Sequence, residues 1–150
     1  GDDLAVASST GRMLRLPVDD STIPVMGRTA QGPVLMRLLP GESIVGAAAV
    51  AAGGDVLLIS QLGQLKRLGI DHLRRCQRGA IGEIGLRFEQ RNDALTDLRS
   101  TTARLSVETQ AGSLRLASDS LPVEDGRGTG QQLKLPKGQT VQRLLPLIDG

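Results

Sequence analysis

The sequence has 150 residues, of which 39% are hydrophobic, and its formal net charge is only +2. It contains no apolar run of the roughly 18 residues that a membrane-spanning helix needs, which excludes that class of membrane protein. Its single cysteine, Cys76, excludes an internal disulfide and fits a reducing compartment.

The first third of the chain alternates between apolar runs and turns. A run at residues 4–7 turns at Gly11 and returns through residues 13–16, before Pro17 and residues 19–21 break the pattern. A glycine-bounded loop at 27–32 leads to a run at 34–39. The alanines of the closing run, 44–50, would suit a helix, but its short length and internal Gly46 favour a strand.

The same order of features returns twice. The second copy has runs at 56–59, 65–68 and 84–88, and the third has runs at 105–109, 114–116, 132–135 and 141–148. Both contain a hairpin glycine, Gly63 or Gly112, and both contain a glycine loop with an arginine. Residues 71–75 predict one helical turn capped by Asp71.

This internal repeat predicts the fold. Three units, approximately 3–52, 53–100 and 101–148, each have room for about four short strands. Units that cannot bury their apolar faces alone stack on one another. The sequence therefore predicts an all-β repeat protein built of three blades.

Basic residues are concentrated in the middle of the chain. Residues 63–91 hold seven cations against three acidic residues. The cations are Lys66, Arg67, Arg74, Arg75, Arg78, Arg87 and Arg91. Such a stripe suits a polyanionic partner and is equally consistent with an ordinary solvated surface.

The arginines of the glycine loops are the first candidates for phosphate contact. Arg28, Arg78 and Arg127 would lie on an arc, each beside backbone N–H groups that bind anions. In the alternative interpretation, the glycines only permit tight turns and the arginines pair with the neighbouring blade. Lys66, Arg67, Arg74 and Arg75 are comparable candidates. The strand residues are expected on the face opposite the core and, for each, turned to solvent; they are Arg15, Arg37, Arg87, Arg115 and Lys134.

The inventory of side chains argues against catalysis. There is no tyrosine or tryptophan, which also argues against recognition of single strands by base stacking. The only histidine, His72, has no nucleophile motif beside it, and no metal-ligand spacing is present. We expect no catalytic residue, no metal site and no cofactor.

Two segments carry a resemblance to a known family. Residues 57–67, LLISQLGQLKR, and 27–32, GRTAQG, are typical of blades in the C-terminal domain of DNA gyrase A and of its topoisomerase IV relative, and the chain resembles that domain along its whole length. The resemblance implies a propeller-like β-pinwheel, usually of five or six blades. Double-stranded DNA wraps around its basic rim to support supercoiling. Three blades would be half of such a domain.

One loop departs from the family pattern. The family's wrapping motif has a glutamine, basic residues, paired glycines, a further basic residue and a glycine. The nearest match is a degenerate copy in which Ala80 and Ile81 replace the second glycine and second basic residue. Its members are Gln77, Arg78, Gly79, Ala80, Ile81 and Gly82.

The resemblance also implies a parent protein. The family cleaves DNA with a tyrosine, which this chain lacks, so we expect a non-catalytic module, and ATP and Mg²⁺ would belong to the parent enzyme. The start at Gly1 without a methionine suggests a fragment. Expected partners are the duplex, the remaining blades, the catalytic domains and the gyrase B subunit, in the cytoplasm at the nucleoid. The alternative is a scaffold whose open blades pair with other blades, a second copy or another subunit.

Overall fold

The computed structural model describes residues 2–18 and 35–147, and in these ranges the regular secondary structure is almost entirely short β-strands, most of them paired antiparallel. The prediction of an all-β repeat protein of blade type is confirmed. The strands are β1 (Asp3–Ser8), β2 (Arg12–Pro17), β3 (Ile44–Val50), β4 (Asp55–Ser60), β5 (Gln64–Gly69), β6 (Glu83–Ile84), β7 (Leu95–Ser100), β8 (Arg104–Thr109), β9 (Gly112–Ala117), β10 (Val123–Glu124), β11 (Gln131–Gln132) and β12 (Val141–Pro146).

The strands form three sheets. Each of the first two sheets also contains one or two short strands from the following sequence unit. The first sheet has the order β3-β1-β2-β6, the second has β10-β5-β4-β7 with β11 also on β5, and the third has β12-β8-β9. Strand β6 lies in the second sequence unit but pairs with β2 of the first, and β10 and β11 lie in the third unit but pair with β5 of the second. The outer strand of a blade therefore comes from the following unit, and the proposed unit limits at 52 and 100 stay a prediction.

The hairpin registers define equivalent positions in the three sheets. Arg15 lies opposite Ala5, Arg67 opposite Leu57, and Arg115 opposite Ser106. In the first two hairpins the turn requires a glycine, since Gly11 and Gly63 have φ of 88° and 93°. Equivalent residues of successive blades can therefore be compared directly.

Each of two apolar clusters joins one blade to the next. In the first, Ala5, Ala7 and Met13 pack against Val56, Leu58 and Leu68 of the second blade. In the second cluster, the opposite face of the second sheet packs against the third blade. Its members are Leu57, Ile59, Leu65, Leu105, Val107, Leu121, Val141 and Leu144. Both faces of the second sheet are thus buried, and its strands β4 and β5 are nearly free of solvent.

Several local predictions can be compared with the structure. The run at 44–50 is strand β3, as its length indicated. The predicted helical turn is a 3₁₀ turn at Ile70–His72 whose N-cap is Gly69, without a side-chain cap, so the predicted capping by Asp71 is wrong. A second 3₁₀ turn, Ser118–Ser120, occupies the same place in the third unit. No helix in the described part of the chain is long and apolar enough to cross a bilayer.

Candidate nucleic-acid interface

Two strand arginines connect the blades instead of facing solvent. On β2, Arg15 donates to Asp3 Oδ2 at 2.5 Å and to the carbonyls of Ile70 and Leu73 at 3.2 and 3.1 Å. Its guanidinium thus joins a carboxylate of its own sheet to the 3₁₀ turn of the second blade. The expectation that Arg15 faces solvent is wrong, because a second sheet covers the face to which it points.

Arg67 repeats this arrangement one blade later. Its guanidinium donates to both carboxylate oxygens of Asp55, at 2.9 and 3.2 Å, and to the carbonyls of Ser118 and Leu121, at 3.2 and 3.3 Å. Burial alone would raise the pKa of Asp55, but the hydrogen bonds from Arg67 and Thr101 hold it below its ordinary value. Arg67 was predicted as a candidate for phosphate contact. In the structure its N–H donors instead bind Asp55 and the 3₁₀ turn of the third blade, and so link blades two and three.

A second pair of links lies at the hairpin end of the same strands. Arg12 donates to the carbonyls of Ile81 and Arg37 and pairs with Glu42. At the equivalent position of the second blade, Gln64 donates to the carbonyls of Arg87 and Thr129, both at 2.7 Å. The side chains differ in charge but satisfy corresponding carbonyls, which identifies this position as structural.

Lys66 is buried, which contradicts its prediction as a phosphate contact. Its side chain has no exposed surface, and its ammonium donates to the carbonyl of Gly85 at 2.7 Å. Burial lowers the pKa of Lys66, and Glu124 and Asp125 offset part of that effect. A phosphate cannot reach this nitrogen, because no part of the residue is accessible to solvent.

A compact group of exposed cations lies just after the first 3₁₀ turn. Arg74, Arg75 and Arg78, here called the loop arginines, are all exposed. Arg75 donates from Nε to Asp3 at 2.9 Å, yet 58% of its side chain remains accessible. A guanidinium has five N–H donors, so one ion pair leaves others for a second anion. These three side chains fall within five residues and form the most compact group of sequence-predicted contacts.

The glycine loops of the second and third units lie in the same register, but their arginines are not equivalent. Arg75 lies in parallel register with Arg15, as Val123 does with Arg67, so Arg75 and Val123 correspond. Counting from these residues, Arg78 matches Gly126 and Arg127 matches Gly79. Arg78 and Arg127 are therefore one position apart in their loops, and both are exposed. The arc predicted for Arg28, Arg78 and Arg127 stays a prediction. Arg28 lies outside the described residues.

The degenerate wrapping-like loop is held against the first unit. Gly79 N–H donates to the carbonyl of Leu35 at 2.9 Å, and the carbonyl of Ala80 accepts from Arg37 N–H at 2.9 Å. A Cβ on Gly82 would stand 2.2 Å from the Met13 carbonyl oxygen, and a Cβ on Gly130 would stand 2.3 Å from the Leu65 carbonyl oxygen. These glycines are required for backbone contact, while Gln77 and Arg78 face outwards.

Comparison with known proteins decides the family. The family described as "DNA gyrase C-terminal domain, beta-propeller" matches residues 2–51 and 54–102, which is more than half of the chain. The chain belongs to this family. The resemblance inferred from the sequence is confirmed, and the three sheets are blades of the gyrase A type β-pinwheel.

Individual relatives are consistent with this membership. The chain is 30% identical over 146 residues to the DNA gyrase A protein of Aminobacterium colombiense, covering 94% of the chain and 18% of the relative. It is 34% identical over 95 residues to the DNA topoisomerase 4 A protein of Synechocystis sp., covering 63% of the chain and 10% of the relative. The chain therefore spans less than a fifth of the length of either relative.

A solved structure shows the same fold. The C-terminal domain of DNA topoisomerase IV aligns with a TM-score of 0.77 and 13% identity, covering 96% of this chain and 46% of that one. At this identity the likeness establishes the fold alone. The three blades correspond to about half of that solved chain.

Sequence reasoning missed the links between blades. The signal was present, because an aspartate opens the first strand of units one and two, Asp3 and Asp55, and an arginine follows on the paired strand. Only the position of the next 3₁₀ turn shows that the arginine also binds the neighbouring blade.

Proposed function

We propose that this chain is a non-catalytic DNA-binding module of a bacterial type II topoisomerase, which holds the backbone of duplex DNA with its loop arginines. Family membership supports this function, and the observation that carries it is the exposure of Arg74, Arg75 and Arg78. The basic strand residues Arg15, Arg67 and Lys66 serve the contacts between blades. Those three residues are therefore not available to a polyanion, whereas the loop arginines are.

Binding of this kind depends on phosphate charge and not on base sequence. Each guanidinium presents a planar set of donors that matches two phosphate oxygens, and each contact releases counterions from the duplex. The chain has no tyrosine or tryptophan to stack on bases. A curved row of such contacts favours a bent duplex, as in other proteins that bind through phosphates and DNA deformability.

In the parent enzyme, this module would wrap DNA and so support supercoiling. ATP, Mg²⁺ and the strand-cleaving tyrosine would belong to the other domains and to the gyrase B subunit, in the bacterial cytoplasm at the nucleoid. The module's own contribution is to bind and bend one segment of duplex. Because this requires no group to change protonation or form a bond, an arrangement of fixed cations is sufficient.

The test is a titration of a fluorescent duplex of about 40 base pairs between 50 and 200 mM salt. The variant R74Q/R75Q/R78Q should weaken binding at low salt and reduce the salt slope by about 0.9 for each phosphate that is no longer bound. The variant R91Q/K134Q/K137Q removes the same charge from other exposed positions and serves as the control. Equal slopes for the two variants would exclude the loop arginines as the contact, and no binding of the unaltered chain at 50 mM would exclude the function.

A second candidate function is a scaffold for other blades. The observation that favours it is β9, which pairs only with β8 among the described strands and leaves one edge open. Blade pairing should depend little on salt, whereas phosphate binding falls steeply with it. Sedimentation of the isolated chain at 50 and 500 mM salt distinguishes the two, since a dimer at both would favour the scaffold.

A further inference from the structure

The outward face of the third sheet differs in chemistry from the corresponding faces of the other two sheets. In the first two blades, the positions that face the next blade are apolar: Ala5, Ala7 and Met13, then Leu57, Ile59 and Leu65. The pairing registers place Ser106, Glu108 and Ser113 at these positions in the third blade. These three residues offer a fourth blade less apolar surface than the first two blades offer their neighbours, and a more polar outer face is typical of a terminal repeat.

The ion pair that joins blades is also changed in the third sheet. Arg115 lies at the position of Arg15 and Arg67, but Arg104 replaces the aspartate of the first two blades. A guanidinium thus stands where Asp3 and Asp55 supply a carboxylate. Arg115 makes no side-chain hydrogen bond or ion pair within residues 2–18 and 35–147, whereas Arg104 has an interaction partner; both arginines are exposed.

The two arginines share a shallow depression on this face. A hollow of about 290 Å³ is lined by Arg104, Arg115, Leu116, Ala117 and Leu147. On β12, Arg143 lies directly opposite Glu108 of β8. Arg143 is the third arginine of this face, and Glu108 is its acidic residue. Among the described residues, the face therefore carries three arginines and one carboxylate across three adjacent strands.

We propose that this face, with Arg104, Glu108, Ser113, Arg115 and Arg143 around the buried Ser106, binds backbone phosphates of duplex DNA and does not dock a further blade. Arg115 presents forked donors at the hollow, and Arg104 places a second positive charge beside it, which suits phosphate oxygens. An apolar blade face would instead leave Glu108 and the guanidiniums desolvated at a high cost. The proposal rests on the proposed function and adds a second contact surface, separate from the loop arginines.

The variant R104Q/R115Q tests the proposal in the duplex titration between 50 and 200 mM salt. We expect its salt slope to fall by about 1 to 2, since each phosphate that is bound accounts for about 0.9. The control variant K134Q/K137Q removes two exposed cations of the same unit from other positions. R104K/R115K keeps the charge and should retain most of the slope but lose affinity, because lysine lacks the forked geometry.

Three outcomes would overturn the proposal. If R104Q/R115Q has the same slope as K134Q/K137Q while the loop-arginine variant has a reduced one, this face does not bind DNA although the proposed function stands. If the unaltered chain does not bind duplex at 50 mM salt, both proposals fail together. If sedimentation shows a dimer that R115Q dissociates, the face docks a second copy and not DNA.

Discussion

Arg67 Nε lies 2.9 Å from Asp55 Oδ1, and from this ion pair the same guanidinium reaches the carbonyls of the next blade's 3₁₀ turn. Arg15 and Asp3 form the same unit one blade earlier. In both cases, one side chain sets the distance between two sheets. The link is partly shielded from water, which gives it more effect than a surface ion pair.

Arg67→Gln should destabilise the chain by about 2–3 kcal/mol, because Asp55 and two carbonyls lose their donors in a partly buried setting. Urea unfolding measures the change in the free energy of unfolding. Arg115→Gln removes the equivalent residue of the third blade, which has no such partners, and should change stability by less than about 0.5 kcal/mol. Equal losses in the two variants would show that the link between blades contributes nothing.

Glu42→Gln should make the chain less stable near neutral pH and less sensitive to acid. Burial raises the pKa of Glu42, but hydrogen bonds from Arg12, Thr10, Leu39 N–H and Ser8 outweigh it and lower the pKa to about 2. A carboxyl whose folded pKa is depressed stabilises the fold above its unfolded pKa and loses that effect as the pH falls towards 2. We expect the contribution of Glu42 to the free energy of unfolding to fall by about 2–3 kcal/mol between pH 5 and 2.

Urea unfolding at pH 7, 4.5 and 3 checks this effect. The stability difference between the unaltered chain and Glu42→Gln should shrink as the pH falls. A difference that stays constant across this range would show that the charge of Glu42 is not what stabilises the fold.

Lys66→Met should leave DNA binding unchanged, because the ammonium of Lys66 is buried against Gly85. The salt slope of the duplex titration should match that of the unaltered chain within error. A reduced slope would mean that Lys66 reaches a phosphate after all.

The same variant has a second signature in the pH dependence of stability. The pKa of Lys66 is lowered in the folded state, so the unfolded chain binds more protons between that pKa and about 10.5. The unaltered chain should therefore gain stability relative to Lys66→Met as the pH rises from 7 towards 10.5. Chemical unfolding at pH 7, 9 and 10 measures the difference, and parallel curves would contradict the buried ammonium.

Gly82→Ala should destabilise the chain far more than Gly79→Ala. Both glycines have positive φ, 77° and 82°, so each alanine costs about 1–2 kcal/mol of backbone strain. At Gly82 the added Cβ would also stand 2.2 Å from the Met13 oxygen, whereas at Gly79 it would meet nothing within 4 Å. We expect a loss above about 3 kcal/mol for Gly82 and about 1 kcal/mol for Gly79. Similar losses by thermal or urea unfolding would contradict the close approach of the loop to β2.

The sequence by itself determined the repeat, and from it the class of fold. Short apolar runs with turn glycines at recurring positions predict small sheets that stack on one another, because each run is too short to bury its apolar side chains alone. The strands at residues 4–7, 56–59 and 105–109 follow from that pattern. The exposed loop arginines were also predictable, since they lie in polar segments between strands.

Only the tertiary structure decided which cations are exposed and which are buried between blades. Alternation along a strand shows that Arg15 and Arg67 face away from Leu14 and Leu68, but not whether that other face meets water or another sheet. In a stack of blades both faces are covered, so charged residues at alternating positions become links or, like Lys66, lie buried on a carbonyl. The exchange of β6, β10 and β11 between units was equally hidden, because pairing between distant segments depends on how the blades pack and not on local pattern.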